Sequence, residues 1–185
     1  MAHEDARREV GDEAVWSLST AKPGNGVDQL RDSERSRYYP QSYNVDTYWQ
    51  SDGSQPHLIN IQFHKKMTLK EVALYLDYKL DESYTPKKIS IRCGSTVHDL
   101  KEIHAQSIAE PNGWVTIPLS VSDEEDEQIP LRTFFLQVAI VAMHQNGRDT
   151  HIRQVKVYAP REPNVLDRSI PEPSTEQFWA FSCIR

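Results

Sequence analysis

Apolar and polar residues alternate through the middle of this chain. Ile59, Ile61 and Phe63 interleave with Asn60 and Gln62, and Val72, Leu74 and Leu76 with Ala73, Tyr75 and Asp77. Ile89, Ile91 and Cys93 interleave with Ser90 and Arg92; Val115, Ile117 and Leu119 continue the pattern, as do Val155 and Val157. Successive side chains of a strand point to opposite faces, so a period of two predicts half-buried strands. Phe134 to Val141 is apolar on both faces and predicts a central strand. Short strands separated by Pro and Gly turns predict an all-β fold, a β-sandwich or jelly roll.

The flanks read differently. Residues 1–13 are polar, with room for one helical turn. Ala14 to Ser19 alternates weakly and opens the domain, Lys22-Pro23-Gly24-Asn25-Gly26 is loop chemistry, and Val27 to Leu30 suits a short helical turn. Ser33 to Asn44, rich in Ser, Arg, Tyr and Gln, reads as a surface excursion. Ile152 to Tyr158 predicts the last strand. Beyond Pro160 the chain gains Pro163, Pro171 and Pro173 and loses its period, the mark of a linker. It ends in an apolar cluster, Phe178-Trp179-Ala180-Phe181, and then Ser182-Cys183-Ile184-Arg185. The expected organisation is a polar tail at 1–9, one domain at 10–160 and a flexible tail at 161–185.

Composition narrows the function classes. The 185 residues suit one domain with tails, and 38% hydrophobic content is enough for a core. Twenty-one basic residues face 27 acidic ones, a net charge of -6, which speaks against generic nucleic-acid binding by clustered cations. The chain shows no transmembrane stretch and no secretory signal. Cys93 and Cys183 form no CxxC, so a disulfide scaffold or zinc finger is not expected, and a reducing compartment, nucleus or cytoplasm, is the natural setting. The acidic run Ser122 to Gln128 reads as a solvated loop rather than a metal site.

Strand parity then groups three loops. With antiparallel strands that alternate in direction, residues 47–57 lead into the strand ending at Phe63, and a hairpin at His64 to Thr68 lies at the opposite end. The next strand returns to Asp81-Glu82-Ser83-Tyr84-Thr85-Pro86 at the first end. With one further strand near His98 to His104, the same count brings Met143 to His151 to the first end and sends the acidic run to the far one. The grouping predicts one surface bearing Trp49, Ser51, Asp52, Ser83, Tyr84, Asn146, Arg148, Asp149 and His151.

Met143-His144-Gln145-Asn146-Gly147-Arg148-Asp149-Thr150-His151 is the most telling of the three. Asn146-Gly147 alone would suffice for a hairpin turn, so the surplus of His, Gln, Arg, Asp and Thr points to recognition. Asn146 has a second reading, as a residue that only has to adopt positive φ. Arg148 and Asp149 divide between shaping the loop and touching a partner. Trp49, just ahead of a strand, divides between core packing, which is favoured, and a recognition aromatic. Asp52-Gly53 suits a turn better than a ligand contact. His144, Asp149 and His151 on one loop fit zinc ligation poorly. Pairing Ser51 or Ser83 with His57 or His151 and with Asp52 or Asp149 would make a hydrolase triad, but no nucleophile motif is present. The terminal Ile184-Arg185 divides between a frayed end and a docking peptide with an apolar side chain, a guanidinium and a carboxylate.

The segments Tyr48-Trp49-Gln50-Ser51-Asp52-Gly53-Ser54-Gln55-Pro56-His57, Asp81-Glu82-Ser83-Tyr84-Thr85-Pro86 and His144-Gln145-Asn146-Gly147-Arg148-Asp149-Thr150-His151-Ile152-Arg153-Gln154 resemble the DOC-domain family, the subunit-ten family of the anaphase-promoting complex. Trp16-Ser17-Leu18-Ser19 and Lys22 to Val27 fit it too. The resemblance spans residues 10–160 and the Ile184-Arg185 tail. It implies a galactose-binding-like jelly roll, no catalysis and no cofactor or metal. It implies a substrate-recognition and processivity subunit of a multisubunit ubiquitin ligase, which helps a propeller coactivator hold the destruction box of cell-cycle substrates. The degron-facing residues would be Trp49, Ser51, Asp52, Ser83, Tyr84, His144, Gln145, Asn146, Gly147, Arg148, Asp149, Thr150 and His151. Ile184 and Arg185 would dock into a tetratricopeptide-repeat subunit. One departure is the Ser33 to Tyr43 insertion, about ten residues longer than the family pattern, which a surface loop absorbs at small entropic cost. A carbohydrate-binding module of the same sandwich type is the alternative function.

Overall fold

The alternating runs are strands in the computed structural model, which describes residues 7–32, 46–122 and 128–161. Described strands are β1 (Arg7–Glu9), β2 (Ala14–Leu18), β3 (Trp49–Gln50), β4 (His57–Leu69), β5 (Glu71–Asp77), β6 (Pro86–Gly94), β7 (Lys101–Ser107), β8 (Asn112–Pro118), β9 (Ser120–Ser122), β10 (Gln128–Met143), β11 (His151–Ile152) and β12 (Gln154–Pro160). Among the described residues, two one-turn α-helices, α1 (Val27–Leu30) and α2 (Tyr78–Asp81), and 3-10 turns at Gly11–Glu13, Glu82–Tyr84 and His144–Asn146 interrupt them. The strands form two antiparallel layers: β1-β12-β5-β8, and β2-β4-β10-β6-β7 with β9 on β10; β3 and β11 pair separately. This is a jelly-roll sandwich.

The core lies between the layers and follows the sequence parity. Ile59 and Ile61 of β4, Leu136, Val138 and Ile140 of β10, and Ile89 and Ile91 of β6 face Val72, Leu74 and Leu76 of β5, Ile117 of β8, and Val155 and Val157 of β12; all are buried. β10 is central as expected, pairing with β4 through Val138 and Ile59 and with β6 through Val138 and Ile91. Its second face is closed by Gln137, which donates to Asn60 Oδ1 at 2.9 Å and accepts from Arg92 at 3.3 Å. Phe134 and Val141, at the ends of the apolar run, remain exposed.

Several boundaries differ from the pattern. The expected hairpin at His64 to Thr68 is strand: β4 runs on to Leu69 and the chain turns at Lys70. Pairing with β10 slips there, from Thr133↔Met67 to Phe135↔Gln62, so the polar residues 64–66 are accommodated as an irregularity. The further strand is β7, a few residues later than the His98 to His104 estimate. In the polar N-terminus, β1 pairs with the end of β12, adding Arg7 to Glu9 to a sheet. The run Ile152 to Tyr158 is broken at Arg153 into β11 and β12. The Ser33 to Tyr43 insertion, the acidic residues 123–127 and the tail from 162 onward, with Ile184, Arg185 and Cys183, lie outside the described residues.

Candidate functional site

Alternating strand directions bring the three loops together. β4 starts, and β5 and β10 end, at one pole of the sandwich, while β9 and β10 flank the acidic run at the other. The loops also interlock. Thr150 N donates to Ser51 Oγ at 2.9 Å, and Ser51 N donates to the Thr150 carbonyl at 3.2 Å. Gln55 Nε2 donates to the Gly147 carbonyl at 2.9 Å, and His57 Nε2 lies 2.7 Å from the Arg148 carbonyl. The loop carrying Asp81 to Pro86 closes on the same segment: Thr150 Oγ1 donates to the Tyr84 carbonyl at 3.2 Å and His144 N to the Thr85 carbonyl at 2.9 Å.

The Met143 to His151 segment is not the Asn-Gly hairpin that its sequence predicts. β11 pairs with β3 rather than with β10. Positive φ falls on Gln145 (51°) and Asn146 (55°), whereas Gly147 has φ of -57°. Asn146 therefore fills its backbone role, and Gly147 serves close approach instead: a Cβ there would sit 1.8 Å from the Ser83 carbonyl oxygen. Only a residue without a side chain lets these two loops touch.

Beneath the loops lies a buried ionic cluster. Asp81 ends α2, whose first turn is capped by Asp77 accepting from Lys79 N and Leu80 N. Arg153 donates from Nε to Asp81 Oδ2 at 3.0 Å and from Nη2 to Oδ1 at 2.7 Å, a two-pronged pair. His151 Nδ1 lies 3.1 Å from the same Oδ1. Burial pushes the Asp81 carboxyl up, but hydrogen bonds from His151 and Arg153 and the guanidinium charge together hold it below the usual carboxylate range. Asp81 is thus a carboxylate and accepts a hydrogen bond from Nδ1–H of His151; a carbonyl too can only accept, so His57 carries its proton on Nε2. His151 packs against Tyr84, with ring centroids 4.1 Å apart and planes 9° from parallel, and against Tyr48 at 4.4 Å. The Arg153 guanidinium lies 5.5 Å from the Tyr48 ring.

The expected surface residues therefore separate by role. Trp49 leaves the expected surface and takes the favoured core reading: it is fully buried, and its indole donates to the Thr20 carbonyl at 2.9 Å, so it packs the core under the first loop. Ser51 and Thr150 are also fully buried and brace loop against loop. His144 reaches the Ile108 carbonyl at 3.1 Å and meets the Tyr78 ring. Ser83, Gly147, Asp149 and His151 are half-buried, while Asp52, Tyr84, Gln145, Asn146 and Arg148 are exposed on the outer face. Asp52 N donates to Thr20 Oγ1 at 3.1 Å, and Gln145 Nε2 donates to the Tyr78 hydroxyl at 3.1 Å. Ser51, His57 and His151 are engaged in bracing: Ser51 with Thr150, His57 with Arg148 and His151 with Asp81. Among the described residues no group of three or more His, Cys, Asp or Glu is placed to hold a metal ion.

Sequence reasoning missed the cluster itself. Asp81 and Arg153 carried no role there, yet a signal existed. The inward parity of Val155 and Val157 extends back to Arg153, and an arginine in an inward register requires a buried carboxylate.

A family model described as "Anaphase-promoting complex, subunit 10 (APC10)" matches residues 2–182. The chain is 51% identical over 178 residues to "Anaphase-promoting complex subunit 10" of Homo sapiens, covering 96% of this chain and 88% of that protein. It is 52% identical over 155 residues to the protein of that name in Drosophila melanogaster, covering 84% and 72%. It is 34% identical over 152 residues to "Anaphase-promoting complex subunit DOC1" of Saccharomyces cerevisiae, covering 82% of this chain and 56% of that one. Among solved structures, the family 32 CBM from C. perfringens NanJ in complex with galactose superposes with a TM-score of 0.61 at 11% identity, over 82% of this chain and 98% of that one. That likeness is one of fold alone.

Proposed function

The chain belongs to the anaphase-promoting complex subunit 10 family, and we propose that within that complex it is a non-catalytic substrate-recognition and processivity subunit. The observation that carries the reading is the interlocked pole. Three loops are fastened to one another by hydrogen bonds, with Ser51 and Thr150 buried among them, and Asp52, Tyr84, Gln145, Asn146 and Arg148 are left exposed above them. A rigid polar face of this kind suits binding, since the ordering cost of its loops is met before a partner arrives. The carbohydrate alternative has no support of its own, because the sugar-binding neighbours share only the fold.

In this reading the face lies beside a propeller coactivator, and the two together hold a destruction-box peptide, in the nucleus and cytoplasm. A weak peptide gripped by two linked surfaces dissociates more slowly than from either alone. More ubiquitin is then transferred per encounter without any chemistry by this chain. The tail, residues 161–185, tethers the domain to the complex, with Ile184 and Arg185 docking into a tetratricopeptide-repeat subunit.

Asn146→Ala combined with Asp149→Ala is expected to shorten the ubiquitin chains built per binding event on destruction-box substrates, with assembly intact. Single-encounter ubiquitination by the reconstituted complex measures this, and unchanged chain length would sink the reading. Deleting Ile184-Arg185 is expected to lower co-purification of the chain with the complex when it is expressed at low level. Normal recovery of the truncated chain would count against tail anchoring.

A further inference from the structure

We propose that Asp81 is a positioning residue for the recognition face, acting through His151 on the exposed ring of Tyr84. The inference rests on the function proposed above and assigns the part that sets its geometry. Asp81 is buried, with its side chain 3% exposed, and so contacts no partner itself. Its two oxygens serve three donors, Arg153 Nε, Arg153 Nη2 and His151 Nδ1, and so join the second loop to β11 and to the break between β11 and β12. His151 is thereby fixed in position and in tautomer. Tyr84 lies flat on that imidazole and is 38% exposed, the outermost aromatic of the face. Two residues of chain separate Asp81 from Tyr84, and the first, Glu82, has φ of 44° and ψ of -111°. Such a backbone persists only where its surroundings over-determine it. Here the restraints are the inward anchor at Asp81 on one side and the Tyr84–His151 stack with the Thr150–Tyr84 hydrogen bond on the other.

The geometry separates positioning from bulk stability. If Asp81 acts through Tyr84, its removal costs nothing further once the ring is gone. The experiment is a double-mutant cycle in the reconstituted complex, with KM and kcat measured on a destruction-box substrate and incorporation of each variant measured alongside. Asp81→Asn keeps the shape and removes the charge. It is expected to raise KM about tenfold, the scale of one hydrogen bond to a charged group, with kcat at saturation and incorporation unchanged. Tyr84→Ala is expected to raise KM similarly, and the double variant no further than either single one.

Additive losses in the cycle would overturn the inference, as would an unchanged KM for Asp81→Asn. If Asp81→Asn fails to fold, His151→Phe replaces it in the cycle. That variant keeps the Asp81–Arg153 pair and a flat ring under Tyr84 but cuts the link between them, and the same non-additivity with Tyr84→Ala is expected. The Asn146→Ala, Asp149→Ala variant runs in parallel. No effect from that variant would sink the recognition reading itself, whereas an effect there with additivity in the cycle would sink only the role of Asp81.

Discussion

Arg153→Met is expected to destabilise the chain by about 3–5 kcal/mol at neutral pH, and the deficit is expected to shrink as the pH falls from neutral toward about 3.5. The substitution leaves Asp81 buried without the guanidinium that fills both its oxygens. In the native chain the carboxyl is held below its ordinary value, so its ionised form contributes stability above the unfolded pKa. That contribution is lost as pH falls through the folded value. In the variant, burial acts with less opposition and pushes the carboxyl up, so at neutral pH a poorly paired charge opposes folding. Acid neutralises that charge while it weakens the native chain, and the two stabilities converge. Urea denaturation of both proteins at neutral pH and near pH 3.5 measures the gap, and an equal gap at both would refute the account.

Trp49→Ala is expected to cost about 3–5 kcal/mol, the range for deleting a large buried aromatic. Trp49 is fully buried and pairs across β3–β11 with Ile152, so the cavity opens directly under the first two loops. The Thr20 carbonyl also loses its indole donor. Trp49→Phe is expected to recover most of the packing and to retain a deficit of about 1–2 kcal/mol from the lost hydrogen bond. Urea midpoints of the three proteins test the order, with wild type the most stable and Ala the least. A Trp49→Ala chain as stable as wild type would return Trp49 to the role of a surface aromatic. Because the three loops are fastened to one another, both Arg153→Met and Trp49→Ala should also loosen the recognition face, which links its stability to its function.

The layered β fold was legible because burial on one face of a strand imposes a period of two. Ile59, Ile61, Val72, Leu74, Ile89, Ile91, Val155 and Val157 lie inward as their parity requires. The meeting of the three loops at one pole was legible too, since alternating strand direction fixes which end each connection occupies. The long motifs around Trp49, Ser83 and Asn146 carried the family. What each side chain does at the pole was much less legible. Trp49, Ser51 and Thr150 have the composition of a recognition surface and are fully buried, whereas Asp52, Asn146 and Arg148, from the same motifs, are exposed.

Sequence by itself determined which residues alternate, where the turns interrupt them and hence the sandwich with its loop-bearing pole, because those depend on contacts that repeat every two residues. Tertiary structure alone decided that Asp81 meets His151 and Arg153, 70 and 72 positions further along the chain, that Gly147 is glycine because Ser83 presses on it, and that Ser51 and Thr150 face inward. Those outcomes depend on distances between segments remote in the chain, and loop residues have no period from which such distances can be read.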